Sequence, residues 1–214
     1  MLKNKNVINI FLFVLYLISA VYGGNGKKYS NNIELVYSEM KSKKYTRPPD
    51  KILDRINKYD HLIRYFSSLC YTREGYNVNS NYIKALIAAE SGGRPTVVSH
   101  KGAIGLTQIM FSSAQKYVSQ LAQTGFDFKY VDEQKLKNFK KEYLYDPAVN
   151  ILICTYITDL NNARFGGDLS TTVAAWNAGE YAVYKYEGIP PYNETLGLIT
   201  KVSNYLTFFQ SHKK

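Results

Sequence analysis

The stretch from residue 79 to residue 110 reads NSNYIKALIAAESGGRPTVVSHKGAIGLTQIM, and it predicts a helix with a defined beginning and end. Asn79 or Ser80 supplies the short polar side chain that favours a helix N-cap. The helix body runs from Tyr82 to Glu90, and the glycines at 92–93 with a proline at 95 predict its stop. Residues 96–104 lack a helical period, so a small irregular or β-hairpin segment is expected there.

Glu90 is an acidic residue on the apolar face of this helix. It follows Leu86 by four positions and Ile87 by three, so it projects from the apolar face at the helix C-terminus. Burial and the negative end of the helix dipole both raise the pKa of a carboxyl placed there. A carboxyl with a raised pKa can act as a general acid near neutral pH. The alternative is a side chain that reaches solvent or pairs with a nearby base.

The composition places the chain among globular proteins. It has 214 residues, of which 45% are hydrophobic, and this is enough for one domain with a buried core. The net charge is +10 and there are 20 tyrosines. The basic residues are scattered and no nucleic-acid-binding motif is present, so nucleic acid is not an expected partner. A basic, tyrosine-rich surface is compatible with sugar rings and a polyanionic cell wall, or simply with solubility.

The N-terminus has the layout of a secretory signal peptide. Lys3 and Lys5 precede an apolar run from Val7 to Tyr22 that is shorter than the roughly 20 residues of a membrane-spanning helix. We therefore divide the chain into a signal peptide at 1–24, a flexible polar segment at 25–48 and one domain at 49–214. A periplasmic or secreted location follows, with a permanent anchor as the weaker alternative.

The two cysteines, Cys70 and Cys154, allow either a disulfide or two buried thiols. Each cysteine lies in an apolar stretch that is predicted to be helical. No histidine has metal-ligand spacing with them, so neither a metal nor any other cofactor is expected.

The rest of the chain predicts further helices and no alternating strand pattern. One long amphipathic helix is expected from Asp50 to Cys70, and Asp146-Pro147 and Asp168 mark two later helix starts. A last helix begins at Asn193 or Glu194, and residues 119–145 are expected to form an inserted loop with helical pieces. The fold class is therefore mainly α.

Four short motifs occur in a fixed order across residues 76–206. They are ESGG at 90–93 with VSHKGAIGLTQIM at 98–110, DPAVNI at 146–151, AAWNAG at 174–179, and IPPYNET at 189–195. Together they resemble the soluble lytic transglycosylase family, whose first motif is Glu-Ser followed by Ser-x-x-Gly-Ala-x-Gly-Leu-Met-Gln. The resemblance implies a lysozyme-like α+β fold, with a helical bundle around a substrate groove.

The same resemblance implies a reaction on peptidoglycan. The β-1,4 bond between MurNAc and GlcNAc is cleaved, and the muramic 6-hydroxyl closes on C1 to leave a 1,6-anhydro end. Glycosidases that use water need two carboxylates. Here the nucleophile belongs to the substrate, so Glu90 alone would serve as acid and then as base.

The matching positions also imply a set of sugar-contacting residues. These are Ser91, Ser99, Gln108, Trp176, Asn177, Tyr192 and Glu194. Three of these residues have an alternative role that involves no sugar. Ser91 would cap a turn, Trp176 would pack in the core, and Glu194 would cap the last helix.

Four positions depart from the family pattern. Thr107 replaces a methionine, with loss of an apolar contact to sugar, and Trp176 replaces a tyrosine, with loss of a hydroxyl that could bond Glu90 or substrate. Phe111 stands at a common proline position and Gly197 where a tyrosine is expected.

Two other functions compete with this interpretation. A lysozyme-type hydrolase would need a second carboxylate, for which Asp127, Asp146 and Glu180 are candidates. A weakly catalytic glycan-binding module of a transenvelope assembly is the other alternative. Peptidoglycan strands are the expected partner, a cell-envelope machine is a further candidate partner, and a monomer is expected.

Overall fold

The computed structural model describes residues 46–212. The predicted signal peptide at 1–24 and nearly all of the polar segment at 25–48 lie outside the described residues, so both stay predictions. Within 46–212 no helix is long and apolar enough to cross a membrane.

The described residues form a mostly helical fold, as predicted. Its elements are α1 (Asp50–Asn57), α2 (Asp60–Ser67), α3 (Ser80–Glu90), α4 (Phe111–Leu121), α5 (Glu133–Lys137), a 3₁₀ helix (Lys141–Tyr145), α6 (Pro147–Arg164), α7 (Leu169–Ala178), α8 (Glu180–Lys185) and α9 (Asn193–Ser211).

Three predicted helix starts are confirmed by their capping bonds. The side chain of Asn79 accepts from the Asn81 N–H at 3.0 Å at the start of α3. Asp146 accepts from the Ala148 N–H at 2.9 Å at the start of α6, and Asp168 caps α7 in the same way. Each cap satisfies one backbone donor that the first helical turn leaves without a partner.

The prediction of one long helix from Asp50 to Cys70 is wrong. The chain leaves helical geometry at Tyr59, where φ is −105° and ψ is 6°, and α2 begins one residue later. The two halves differ in their partners, because α1 packs against α3, whereas α2 packs against α6 as well as α3. A straight helix cannot follow both surfaces.

The helical context assigned to Cys70 is also wrong, because this residue lies past the end of α2. Its thiol donates to Asn77 Oδ1 at 3.1 Å. Cys154 is fully buried in α6, and the two cysteines are not bridged in this structure.

Helix α3 lies at the centre of the fold. It packs against α1, α2 and α9, and α9 also packs against α7. Seven of its residues are buried, and they are Tyr82, Ile83, Ala85, Leu86, Ile87, Ala88 and Ala89. This nearly complete burial fixes the position of the helix end that carries Glu90.

The predicted hairpin-like segment follows α3. Single β-bridges join Val98 to Ile104 and Ile104 to Ile109, and the Ile104 and Ile109 backbones exchange hydrogen bonds of 3.0 and 3.1 Å. The segment therefore reaches about five residues beyond the predicted range. Because Ile104 is fully buried, it anchors the hairpin-like loop to the core.

Candidate active site

A groove of about 660 Å³ opens beside the C-terminal end of α3. The hairpin-like loop forms one wall, and residues from α6, α7 and α8 line the other side. Six of the eight predicted site residues line it: Glu90, Ser99, Gln108, Trp176, Asn177 and Glu194. The fold therefore brings together motifs that lie up to about a hundred residues apart in the chain.

Glu90 is the last residue of α3 and has a perturbed pKa. Burial raises the pKa of this carboxyl from 4.5 to about 7. The hydrogen bond from Trp176 and the charge of Lys201 oppose that rise, while the charge of Glu194 adds to it. At neutral pH a large fraction of Glu90 is therefore protonated.

Trp176 donates its indole N–H to Glu90 Oε1 at 3.0 Å. The tyrosine hydroxyl is absent, as expected, but the indole N–H supplies a donor to the acid in its place. An indole nitrogen is a donor only, so it favours the charged form of the carboxyl. The side chain is half-buried, which leaves part of the ring on the groove wall.

Lys201 comes from α9 and was not anticipated from the sequence. Its ammonium donates to the carbonyl oxygen of Ala89 at 2.7 Å, in the last turn of α3. A cation at this end of a helix offsets the negative end of the dipole. The only sequence signal was a lysine on the final helix, seven residues after Glu194.

Glu194 forms an ion pair with Lys101, with 2.5 Å between Nζ and Oε2. It lies in the first turn of α9, whose N-cap is Tyr192 without a side-chain capping bond. The alternative of Glu194 as the helix cap is therefore wrong. Its neighbour Thr195 donates to Asn177 Oδ1 at 2.6 Å, which joins the last two motifs.

Gln108 has a left-handed backbone, with φ of 54°. Its side-chain amide donates to the carbonyl oxygens of Val97 and Gly105 at 3.1 and 2.9 Å. With both N–H groups engaged, the amide oxygen is the atom that remains to accept a bond from a ligand. Ser99 is held on the same loop, where its hydroxyl accepts from the Ala103 N–H at 3.0 Å.

Ser91 and Tyr192 do not line the groove. Ser91 is buried, and its hydroxyl donates to the Leu106 carbonyl at 2.6 Å and accepts from the N–H groups of Gly93 and Arg94. This geometry supports the turn-capping alternative. Tyr192 is 41% exposed and packs edge-on against Tyr186.

Thr107 is fully buried and does not line the groove, so the loss of an apolar contact to sugar at this position stays a prediction. Its N–H and its hydroxyl both donate to Asn150 Oδ1, at 3.0 and 2.7 Å. The Asn150 amide donates in turn to the carbonyls of Ile104 and Leu144. A side chain at Gly105 would place its Cβ 2.4 Å from this amide, and the residue also has φ of +79°. Asn150 therefore fixes the loop from within.

The other carboxylates considered for hydrolysis occupy different places. Asp127 is exposed on a loop and Asp146 caps α6, and neither lines the groove. Glu180 does line it, but its Oε1 accepts from both the Tyr117 hydroxyl and the Arg164 guanidinium. Among residues 46–212 no group of histidine, cysteine or acidic side chains is arranged to hold a metal ion.

Comparison with known proteins agrees with this geometry. Membrane-bound lytic murein transglycosylase C from Cronobacter sakazakii is 29% identical over 166 residues, which is 74% of this chain and 40% of that protein. The protein of the same name from Edwardsiella ictaluri is 31% identical over 144 residues, or 64% of this chain and 35% of that one. The chain thus spans well under half the length of these relatives.

A solved structure shares the fold. The 70-kDa soluble lytic transglycosylase in complex with bulgecin A superposes with a TM-score of 0.57 at 26% identity, over 73% of this chain and 25% of that one. The family described as the transglycosylase SLT domain matches residues 70–195. This range includes Glu90 and all four sequence motifs. On these grounds the chain belongs to the transglycosylase SLT domain family.

Proposed function

We propose that this protein is a peptidoglycan lytic transglycosylase in which Glu90 is the catalytic acid and base. The observation that carries the proposal is one carboxyl in a groove, with a pKa of about 7 and an indole N–H on one oxygen. The relatives named as lytic murein transglycosylases support the same activity.

The first step is protonation of the leaving group. Glu90 donates its proton to the glycosidic oxygen between MurNAc and GlcNAc, and the bond from C1 to that oxygen breaks. The negative charge that remains on Glu90 is stabilised by the Trp176 N–H and the nearby Lys201. These two groups act on the charged form, so they favour proton release at the moment of cleavage.

The second step closes the sugar. Carboxylate Glu90 takes the proton of the muramic 6-hydroxyl, and O6 forms the new bond to C1. Glu90 is then protonated again, so no water molecule and no second carboxylate are consumed. This balance matches a groove in which the other lining carboxylates, Glu180 and Glu194, are engaged in ion pairs.

The remaining predicted residues bind the strand in this proposal. Gln108, through its amide oxygen, and Ser99 contact sugar from the hairpin-like loop, and Asn177 and Glu194 do so from α7 and α9. Tyr192 does not line the groove, so in this proposal it contacts the strand outside it. Ser91 acts indirectly, because its hydroxyl holds the turn that follows Glu90.

The proposal includes the cellular setting. Residues 1–24 would export the chain as a signal peptide, and the domain at 49–214 would act as a monomer on peptidoglycan in the periplasm or outside the cell. A cell-envelope machine that needs a local opening in the wall is a compatible partner.

Digestion of purified peptidoglycan followed by mass spectrometry tests the reaction. Wild type should release muropeptides with 1,6-anhydro ends, which are lighter by one water than reducing ends. Glu90→Gln should release none, while Asp127→Asn, an exposed residue outside the groove, should match wild type. Reducing ends would instead indicate hydrolysis. Equal inertness of wild type and Glu90→Gln, with both bound to the wall, would indicate a glycan-binding module.

A further inference from the structure

Tyr181 is an aromatic side chain at the groove for which residues 46–212 supply no stacking ring and no cation. It lies on α8, is 80% exposed and lines the groove. Among the described residues its ring packs against no other aromatic ring and no cation lies over it. A tyrosine combines an apolar ring with a polar hydroxyl, which suits a binding surface that is partly in contact with water.

The local backbone explains why the ring points outward. Gly179, with φ of +86°, ends α7 and starts α8 at a new angle. Helix α8 then buries Ala182 and Val183, so the preceding Tyr181 is left on the groove side. Tyr184, one turn further on, packs against Phe165 instead and does not line the groove.

A carboxylate, that of Glu180, directly precedes Tyr181 in the chain. Glu180 also lines the groove, and the bonds from Tyr117 and Arg164 both end on its Oε1. These two partners fix the carboxylate and leave Oε2 to accept hydrogen bonds from a ligand. An aromatic face beside a carboxylate oxygen suits a pyranose ring, which has an apolar face of C–H groups and a rim of hydroxyl donors.

We propose that Tyr181 and Glu180 form a saccharide subsite in which the sugar ring stacks on Tyr181 and its hydroxyls donate to Glu180. The subsite lies on α8, one helix away from the Trp176–Glu90 pair, so it would hold a sugar further along the strand than the two at the scissile bond. It rests on the proposed function only in taking a β-1,4 glycan strand as the ligand.

Binding without turnover tests this subsite. Chitooligosaccharides of increasing length are titrated into the Glu90→Gln protein, and the same series is repeated with Tyr181→Ala, Tyr181→Phe and Tyr184→Ala added. Tyr181→Ala should weaken binding of the longer oligomers about tenfold, with little change for the shortest. Tyr181→Phe should keep the affinity because it keeps the ring. Tyr184→Ala is the control on the same helix and should bind as the parent does.

Three outcomes would overturn the proposal. The first is that Tyr181→Ala and the parent bind every oligomer with equal affinity. The second is that Tyr184→Ala loses as much affinity as Tyr181→Ala. The third is that the parent binds neither chitooligosaccharides nor sedimented peptidoglycan. Because the assay measures binding alone, a failure to find 1,6-anhydro products would refute the proposed reaction and leave this result standing.

Discussion

Glu90 is expected to destabilise the folded protein at alkaline pH. Its pKa is about 7 in the folded chain and 4.5 in its ordinary state. Between these values the folded protein holds a proton that the unfolded chain has released. The free energy of unfolding therefore falls as pH rises through this window, and the deficit is complete above the folded pKa.

The magnitude follows from the two pKa values. A gap of about 2.5 units corresponds to about 3 kcal/mol, since one unit is about 1.4 kcal/mol. Part of the carboxyl faces the groove, and water there screens the charge, so we expect about 2 kcal/mol. Glu90→Gln removes the charge and keeps an oxygen that can accept the Trp176 N–H.

Urea unfolding of wild type and Glu90→Gln at about pH 5 and about pH 8 measures this effect. The variant should gain about 2 kcal/mol relative to wild type between the two pH values. Asp127→Asn is the control, because an exposed carboxyl should show no such change. A difference between Glu90→Gln and wild type that is the same at both pH values would refute the reasoning, since it would mean that Glu90 is not protonated in the folded state near neutral pH.

Three further substitutions test other parts of the site. Trp176→Phe removes the donor to Glu90, so the pKa of the acid should rise. The alkaline limb of the pH profile of kcat/KM should then move up by about one pH unit, and an unmoved limb would contradict this. Lys201→Met should move the same limb upward as well, because a cation that lowers the pKa of Glu90 is lost, and Lys201→Arg should restore it. Asn150→Ala should lower the free energy of unfolding by about 3 kcal/mol in urea titration, because the Thr107 bonds and two backbone carbonyls lose a buried partner.

Local sequence patterns predicted the elements that depend on local chemistry. The caps at Asn79, Asp146 and Asp168 form because a short polar side chain satisfies its own helix, whatever the rest of the chain does. The position of Glu90 at the end of an apolar helix face was predicted in the same way, and its raised pKa follows from that burial.

What failed to be predicted depends on packing between distant segments. The break at Tyr59 accompanies the packing of α2, but not of α1, against α6 as well as α3, which periodicity within one segment does not encode. The hydrogen bond from the Thr107 hydroxyl to Asn150, 43 residues away, likewise depends on contact between distant segments and has no local sequence signal. Lys201 went unnoticed because its role requires knowing that α9 crosses the end of α3.

The last helix lies mostly outside the family match, which ends at residue 195, yet it supplies much of the support for the acid. Helix α9 packs against α3 and buries Leu196, Ile199 and Val202, and Lys201 donates a hydrogen bond to the carbonyl oxygen of Ala89, directly before Glu90. A chain shortened to residue 195 would keep every motif residue but lose the Lys201 bond and the packing of α9 on α3. The segment that carries the motifs is therefore shorter than the segment that holds Glu90 in place, and we expect that moving the groove into another scaffold would require α9 as well.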